Sequence, residues 1–197
     1  ERRRRGEPVL VARTDPDREV KEQAIFWLGQ SGGERAAVAL DSILRHSDDR
    51  VIQDKAIFAL SQNSSSRSQA SLRDYAMRAD APIELRGNAI FWLGQTGGVE
   101  YLKTIYKTVQ AKELREKIVF AVAQGGGAAS AGWLTGIARD KGESLAARKN
   151  AIFWLGQSRG TSMTELTGLY NTIDDRDIKE SLIFAYSQRG GTDAADK

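Results

Sequence analysis

The chain has 197 residues, of which 41% are apolar, enough for a continuous core. It contains no cysteine and one histidine, which excludes disulfides, thiolate metal sites and cysteine nucleophiles. The net charge of +3 comes entirely from residues 1–5, ERRRR, so residues 6–197 are neutral overall and lack the basic signature of a nucleic-acid-binding domain.

In chain order, residues 1–14 are predicted as a basic N-terminal segment, the remnant of an earlier repeat. Its arginines, Arg2–Arg5, could bind phosphates, but terminal basic tracts of this kind are more often solvated tails. The first complete helix is predicted to start at Asp15, as its N-cap, with Pro16 in the first turn. We expect it to stop at Gly32–Gly33.

From this helix onward, a motif built around a phenylalanine recurs six times. The copies read AIFWLGQSGG, AIFALSQNSS, AIFWLGQTGG, IVFAVAQGGG, AIFWLGQSRG and LIFAYSQRGG. Their phenylalanines lie 32, 33, 29, 33 and 31 residues apart. A period near 30 residues is typical of solenoids, in which each unit buries its apolar face against its neighbours.

Each repeat is predicted to contain two helices. The B helix, of about 14 residues, ends in the phenylalanine motif. Between successive B helices, apolar residues at spacings of three and four predict a second helix, the A helix. Aspartates mark the starts of later B helices at Asp48–Asp49, Asp80 and Asp174–Asp175. Glycines mark their ends at Gly97–Gly98, Gly126–Gly127, Gly160 and Gly190–Gly191.

These signals predict an all-α chain with eleven principal helices, or about five and a half helix pairs, over residues 15–191. Residues 192–197 are predicted as a C-terminal tail. The longest charge-free stretch, residues 118–138, contains three consecutive glycines and stays in phase with the repeats. It therefore predicts helix, loop and helix, and not a membrane span.

A stripe of paired residues lies on one side of every B helix. The apolar arc that must face the A helices holds Ala24 and Leu28 in the first repeat, and a phenylalanine–glutamine pair lies roughly opposite. This candidate binding stripe on the concave wall consists of Phe26, Gln30, Phe58, Gln62, Phe91, Gln95, Phe120, Gln124, Phe153, Gln157, Phe184 and Gln188. We favour packing of the phenylalanines between repeats, with the glutamines partly exposed. The alternative is that the whole stripe faces a ligand.

A period of two repeats is superimposed on the single repeat. Odd B helices carry tryptophan after the phenylalanine, and even B helices carry alanine there. Because large residues beside small ones interlock in a close-packed interior, Trp27, Trp92 and Trp154 are predicted to be core residues.

A second ladder follows the start of each B helix and is basic except at Gln53. We predict that its members pair with the capping aspartates of adjoining repeats. The basic residues are Lys21, Arg86, Arg115, Arg148 and Lys179.

No pattern in the sequence predicts catalysis. The single histidine, His46, is expected at the end of an A helix, where a cation suits the helix dipole. Aspartate pairs coincide with predicted helix caps, and the glycine runs lack the phosphate-loop pattern. Neither a metal site nor a cofactor is predicted.

The repeat resembles the HEAT-repeat family, most closely its short bacterial, phycobilin-lyase-type variety. The family's Val–Arg pair is matched by Val20–Lys21, Leu85–Arg86 and Leu114–Arg115, and its Leu–Gly pair by Leu28–Gly29, Leu93–Gly94 and Leu155–Gly156. The resemblance implies a right-handed α-α superhelix with A helices outside and B helices lining a concave face. The chain departs from the family in carrying Ile-Phe where alanine and a polar residue are more usual.

The family chiefly comprises binding scaffolds, so the resemblance implies a non-catalytic scaffold that binds a protein or peptide on its concave face. One alternative is a nucleic-acid-binding protein that uses Arg2–Arg5 and the basic ladder, although nucleic acid is the less favoured partner. Another is a tetrapyrrole lyase or chaperone, as the family's name implies. A cysteine-free chain fits the cytoplasm or the periplasm, and the oligomeric state stays open.

Overall fold

The structure is a computed structural model that describes residues 7–127, 129–158 and 160–193. Within these ranges it contains 12 helices and no strand, so the predicted all-α solenoid is confirmed. The helices are α1 (Glu7–Thr14), α2 (Arg18–Ser31), α3 (Gly33–His46), α4 (Arg50–Gln62), α5 (Ser66–Met77), α6 (Ile83–Gln95), α7 (Val99–Ile105), α8 (Lys112–Gly125), α9 (Ala129–Arg139), α10 (Leu145–Gln157), α11 (Met163–Thr172) and α12 (Arg176–Asp193).

The eleven predicted helices correspond to α2–α12, and the six B helices are the even-numbered ones. The B helices of the odd repeats are α2, α6 and α10, and those of the even repeats are α4, α8 and α12. Helix α1 adds one more before them, within the segment predicted as the remnant of an earlier repeat, and it packs against α2 as an A helix does. Arg2–Arg5 lie outside the described residues. The stop predicted at Gly190–Gly191 is wrong, because α12 continues through both glycines to Asp193.

The chain forms two compact units, one ending at Gly98 and the other starting at Val99. In the first unit, α2 packs against α4 and α4 against α6, while α3 and α5 form a second layer beside them. In the second unit, α8 packs against α10 and α10 against α12, with α7, α9 and α11 each on the B helix that follows. Each unit is therefore a short stack of helix pairs.

Capping side chains fix where several B helices begin. Asp49 accepts from the amides of Val51 and Ile52 at 2.8 and 3.5 Å, as predicted. The N-cap of α2 is Asp17 and not Asp15, whose carboxylate instead accepts from the amide of Asp17 at 2.9 Å. Pro16 therefore lies before the helix, in the turn that leads to the cap.

Aspartate does not cap every B helix. Asp175 accepts from the amide of Ile178 at 3.2 Å at the start of α12. At α6 the N-cap is Pro82, which has no side-chain acceptor. The predicted cap Asp80 is instead paired with Arg78 at 2.6 Å, and this pairing lowers the pKa of the Asp80 carboxyl. Hydrogen bonding to a close guanidinium stabilises the ionised form.

The predicted core arc is buried in the described B helices, with one exception in α12. Ala24 and Leu28 are buried in α2, and the equivalent residues of later repeats are at most 1% exposed, except Tyr186 of α12, which is half-buried. A second apolar position, beside the phenylalanine, is also inaccessible in five repeats. These residues are Ile25, Ile57, Ile90, Val119 and Ile152.

In each unit, one pair of consecutive B helices has its backbones in close contact: α2 with α4, and α10 with α12. A Cβ atom added to Gly29 of α2 would lie 2.9 Å from Cα and from the carbonyl oxygen of Ala59 in α4. In the second unit, a Cβ atom added to Gly156 would lie 2.8 Å from Cβ of Ala185. Glycine on one helix and alanine on the other therefore set how closely these helices approach.

We predict that Gly29→Ala lowers the free energy of unfolding by about 1–3 kcal/mol, because the new methyl group must displace backbone atoms of α4. Denaturant titration of the purified chain measures this change.

Gly132 on α9 provides the matched control, because a Cβ atom there would meet nothing within 4 Å. Gly132→Ala should stabilise the chain by about 0.4–1 kcal/mol through its higher helix propensity. Equal effects of the two substitutions would contradict a backbone contact at Gly29.

Candidate binding surface

The structure exposes all six glutamines of the predicted stripe. The phenylalanines divide into two groups. Phe26, Phe153 and Phe184 are 45%, 42% and 52% exposed, whereas the other three, Phe58, Phe91 and Phe120, are half-buried. Neither interpretation of the stripe therefore applies to all of its phenylalanines.

The difference in exposure follows the period of two repeats in four of the six phenylalanines; Phe91 of an odd repeat is half-buried, and Phe184 of the sixth repeat is exposed. Phe58 of α4 packs edge-on against Trp92 of the next B helix, with ring centroids 5.2 Å apart. Phe120 of α8 packs on Trp154 of α10 with tilted rings, whose centroids lie 5.0 Å apart. After Phe26 and Phe153 the next B helix carries alanine in place of tryptophan, so these rings are less covered.

The prediction that the tryptophans form the core is wrong. Trp27 is 63% exposed, and Trp92 and Trp154 are half-buried. Each tryptophan also contacts the phenylalanine that precedes it, at 5.6 Å in α2 and 5.0 Å in both α6 and α10. The tryptophans therefore belong with the stripe and not with the core. Alanine and leucine fill the buried face of each B helix that packs on the A helices.

We call the stripe together with these tryptophans the aromatic–glutamine surface. Its glutamine side chains are available for binding. Gln62 donates to the hydroxyl of Ser61 at 3.1 Å. The amide groups of Gln30, Gln95, Gln124, Gln157 and Gln188 have no hydrogen-bond partner among the described residues. Each side-chain amide offers two donors and one acceptor oxygen to a ligand.

The basic ladder is mostly engaged within the protein. Arg86 of α6 donates to the carbonyl of Ala76 at 2.9 Å, and Gln53 of α4 donates to the carbonyl of Ser47 at 2.8 Å. Both carbonyls lie at the end of the A helix that precedes the B helix. The exception at Gln53 is thus explained, because an amide donor caps the A helix as a guanidinium does.

Among the residues that the structure describes, one member of the ladder forms the predicted pair with a capping aspartate of the next repeat. Arg148 donates to the carbonyl of Ala138 at 3.0 Å and to the carboxylate of Asp175 at 3.3 Å. Arg115 instead pairs with Glu143 and stacks on Tyr106, 4.4 Å from its ring centroid. The expectation of general pairing with capping aspartates is therefore wrong for Arg86 and Arg115.

The same cluster lines a cavity of about 210 Å³ between α8 and α10. Burial raises the pKa of the Tyr106 phenol, which keeps it protonated at neutral pH. Its hydroxyl lies 3.4 Å from the Glu143 carboxylate. These contacts join two repeats, and no nucleophile paired with a base is part of them.

Other predicted polar sites have structural roles in the described part of the chain. His46 lies in the last turn of α3, and its Nδ1 lies 2.8 Å from the carbonyl of Ser42. Within the described residues, no group of three or more histidine and carboxylate side chains could hold a metal ion. Over the same ranges, no helix is long and apolar enough to cross a bilayer.

Comparison with known proteins identifies the repeat. Residues 7–91 match the family model for HEAT repeats. No curated protein sequence matches the chain. Among solved structures, human deoxyhypusine hydroxylase in complex with glycerol is similar at 15% identity over 93% of this chain and 84% of that one, with a TM-score of 0.38. The complex of CpcE and CpcF of phycocyanin lyase from Nostoc sp. is similar at 13% identity over 91% of this chain and 92% of that one, with a TM-score of 0.40.

The two groups of phenylalanines should differ in their contribution to stability. We predict that Phe58→Ala lowers the free energy of unfolding by about 1.5–3 kcal/mol, roughly half the cost of a fully buried phenylalanine, because it removes the contact with Trp92. Phe26→Ala should cost less than about 1 kcal/mol, since its ring is largely exposed. Denaturant titration measures both changes. A larger loss for Phe26→Ala than for Phe58→Ala would contradict a stabilising role of the Phe58–Trp92 contact.

A second prediction tests the capping role of the basic ladder. Arg148 is 6% exposed, so Arg148→Leu should cost about 1–3 kcal/mol by leaving the Ala138 carbonyl without its donor. Arg148→Gln should cost less, because Gln53 caps the equivalent A helix. Lys149→Ala removes the neighbouring surface pair with Asp177 and serves as control, with an expected change below about 1 kcal/mol. If Gln and Leu at position 148 are equally destabilising, capping is not the role of this side chain.

Proposed function

We propose that the chain, whose residues 7–91 match the model for HEAT repeats, is a non-catalytic scaffold that binds a protein or peptide through the aromatic–glutamine surface. The observation that carries this proposal is the recurrence of an exposed glutamine next to a phenylalanine in each repeat. Exposed aromatic groups beside polar ones are characteristic of binding interfaces.

The repetition of the pair indicates which part of a ligand it binds. A surface that reads different side chains would vary between repeats, but the phenylalanine–glutamine pair is the same in all six. A peptide main chain is itself repetitive and offers alternating donors and acceptors, which match the glutamine amide. We therefore propose an extended peptide segment as the ligand.

The spacing of the helices fits such a ligand. Packed helices lie about 8–10 Å apart, and an extended chain advances about 3.3 Å per residue. One phenylalanine–glutamine pair would thus meet every third residue of the peptide. Phenylalanine and tryptophan rings would cover apolar side chains of the peptide, while the glutamines bind its main chain.

The alternatives have less support from the structure. Arg86 and Arg148 of the basic ladder already bind helix carbonyls, and Arg115 pairs with Glu143, so these three side chains are not free to bind phosphates. A role with tetrapyrroles rests on the family resemblance alone. We therefore favour the peptide.

The test is selection of peptides from a random displayed library, followed by affinity measurement. We predict that replacing Gln62 and Gln95 together by alanine weakens the selected peptides at least tenfold without changing the thermal midpoint, because both side chains are exposed. Gln110→Ala, an exposed glutamine outside the B helices, is the matched control and should leave affinity unchanged.

Two further measurements separate this mode of binding from others. N-methylation of the peptide at every third amide should abolish binding if the main chain is recognised, and should have little effect if only side chains are read. Raising salt from 50 to 200 mM should change affinity by less than about tenfold, whereas six to ten phosphate contacts would cost about 10³–10⁵. Peptides that bind both glutamine variants equally would refute the proposed surface.

A further inference from the structure

The cavity between α8 and α10 lies where the first unit has a hydrogen bond between its B helices. In the first unit, the amide of Asn88 on α6 donates to the carboxylate of Asp54 on α4 at 2.7 Å. Asn150 and Glu116 occupy the same positions relative to the phenylalanines of α10 and α8, and both line the cavity. Asn150 has no hydrogen-bond partner among the described residues. Its side-chain amide therefore keeps two donors and one acceptor for a ligand.

A buried donor also belongs to this cavity. Arg115 is one of the lining residues, and its guanidinium is held by Glu143 and by the ring of Tyr106, whose centroid is 4.4 Å away. The Nε atom of Arg115 is buried and has no hydrogen-bond acceptor in the described part of the chain. Because an unpaired buried donor is unfavourable, an acceptor oxygen from a ligand would be favoured there.

The residues around the cavity interrupt the repetition of the helix pairs. Where α8 has Arg115, α4 of the first unit has Gln53, which donates to the carbonyl of Ser47 at the end of α3. Where the second unit has Tyr106, the first unit has Leu44. A surface that offers the same groups in every repeat cannot distinguish one register of a bound peptide from the next. A site that differs between repeats can.

The cavity lies one helical turn from the aromatic–glutamine surface. Glu116 precedes Phe120 by four residues on α8, and Asn150 precedes Trp154 by four residues on α10. Residues four apart share a helix face, and the two rings pack on each other between these helices. A peptide bound along the aromatic–glutamine surface can therefore place a side chain in the cavity.

The size and charge of the cavity indicate which side chain it takes. Its volume of about 210 Å³ is below the roughly 300–1,000 Å³ of pockets for drug-sized molecules, so it suits one side chain. Lys112 lies 3.8 Å from Glu116, and Arg115 pairs with Glu143, so each cation already has a carboxylate. A charged ligand would add a charge without a partner, which is costly to bury. The free groups of Arg115 and Asn150 instead match a neutral carboxamide.

We propose that this cavity binds the side-chain carboxamide of one asparagine or glutamine of the bound peptide and thereby fixes the register of the peptide. The inference rests on the peptide binding proposed above. The carboxamide oxygen accepts from Nε–H of Arg115, and the carboxamide NH₂ group donates to the side-chain oxygen of Asn150. The aromatic–glutamine surface then binds the main chain, and the cavity selects one side chain.

Peptides selected from the displayed library test the proposal. We expect asparagine or glutamine at one fixed position of the selected peptides. Replacing that residue by the corresponding acid or by leucine should weaken binding about tenfold, because two hydrogen bonds to the carboxamide are lost. Asn150→Leu should weaken the unchanged peptide by a similar factor. Against Asn150→Leu, the change to leucine in the peptide should matter less than about twofold, since groups in contact do not contribute additively.

A control variant separates this effect from changes in folding. Ala146→Leu introduces the same side chain at an exposed position of α10 outside the cavity lining, and should leave affinity unchanged. The thermal midpoint of Asn150→Leu should equal that of the wild type, because its amide bonds to no described residue. Equal peptide affinities of Asn150→Leu and Ala146→Leu would overturn the proposal.

A small probe tests the cavity without any peptide. N-acetyl-L-glutamine N-methylamide, at millimolar concentration, should shift the NMR signals of the Arg115 Nε–H and of the Asn150 side-chain amide. N-acetyl-L-leucine N-methylamide has the same main chain without the carboxamide and should shift neither signal.

The outcomes distinguish this proposal from the proposed function. Equal responses to the two probes, or no response to either, would overturn carboxamide binding in the cavity. So would selected peptides that need Gln62 and Gln95 but tolerate leucine at every position, and in that case the proposed peptide binding would stand. Probe signals that shift as expected, in a chain whose selected peptides ignore Gln62 and Gln95, would support the cavity and refute the proposed surface.

Discussion

Within each of the two units, the contacts between consecutive B helices are of two kinds, and the rest of the structure depends on this difference. From odd to even, glycine meets alanine with the backbones touching, as at Gly29 and Ala59. From the B helix of an even repeat to that of the next odd repeat, phenylalanine packs on tryptophan, as at Phe58 and Trp92. Because each unit of a solenoid contacts only its neighbours, these contacts set the stacking order of the repeats.

The same difference shapes the candidate binding surface. Where tryptophan follows, the preceding phenylalanine is half-buried and acts as a packing residue, as Phe58 does. After Phe26 and Phe153, the next B helix of the same unit carries alanine, and the ring stays exposed. One residue type at one position thus serves stability in one repeat and is available for binding in the next.

Polar residues divide their roles in a similar way. Gln53, Arg86 and Arg148 reach back to the ends of A helices and satisfy carbonyls that helix geometry leaves without donors. Among the described residues, the glutamines that follow the phenylalanines donate no hydrogen bond to the end of an A helix, and all six are exposed. This division is why we assign peptide recognition to the glutamines and not to the arginines.

The sequence by itself determined the repeat, the helix pairs and the buried arc, because helical periodicity and glycine stops are local properties of the chain. It also placed the stripe, since residues four apart share a helix face. Only the tertiary structure decided which aromatic rings are covered and which donors are engaged. Trp27 and Trp92 have the same local sequence, but Trp92 meets Phe58 of another helix and Trp27 meets no such partner in the described residues. Burial depends on the neighbouring helix, which no single repeat encodes.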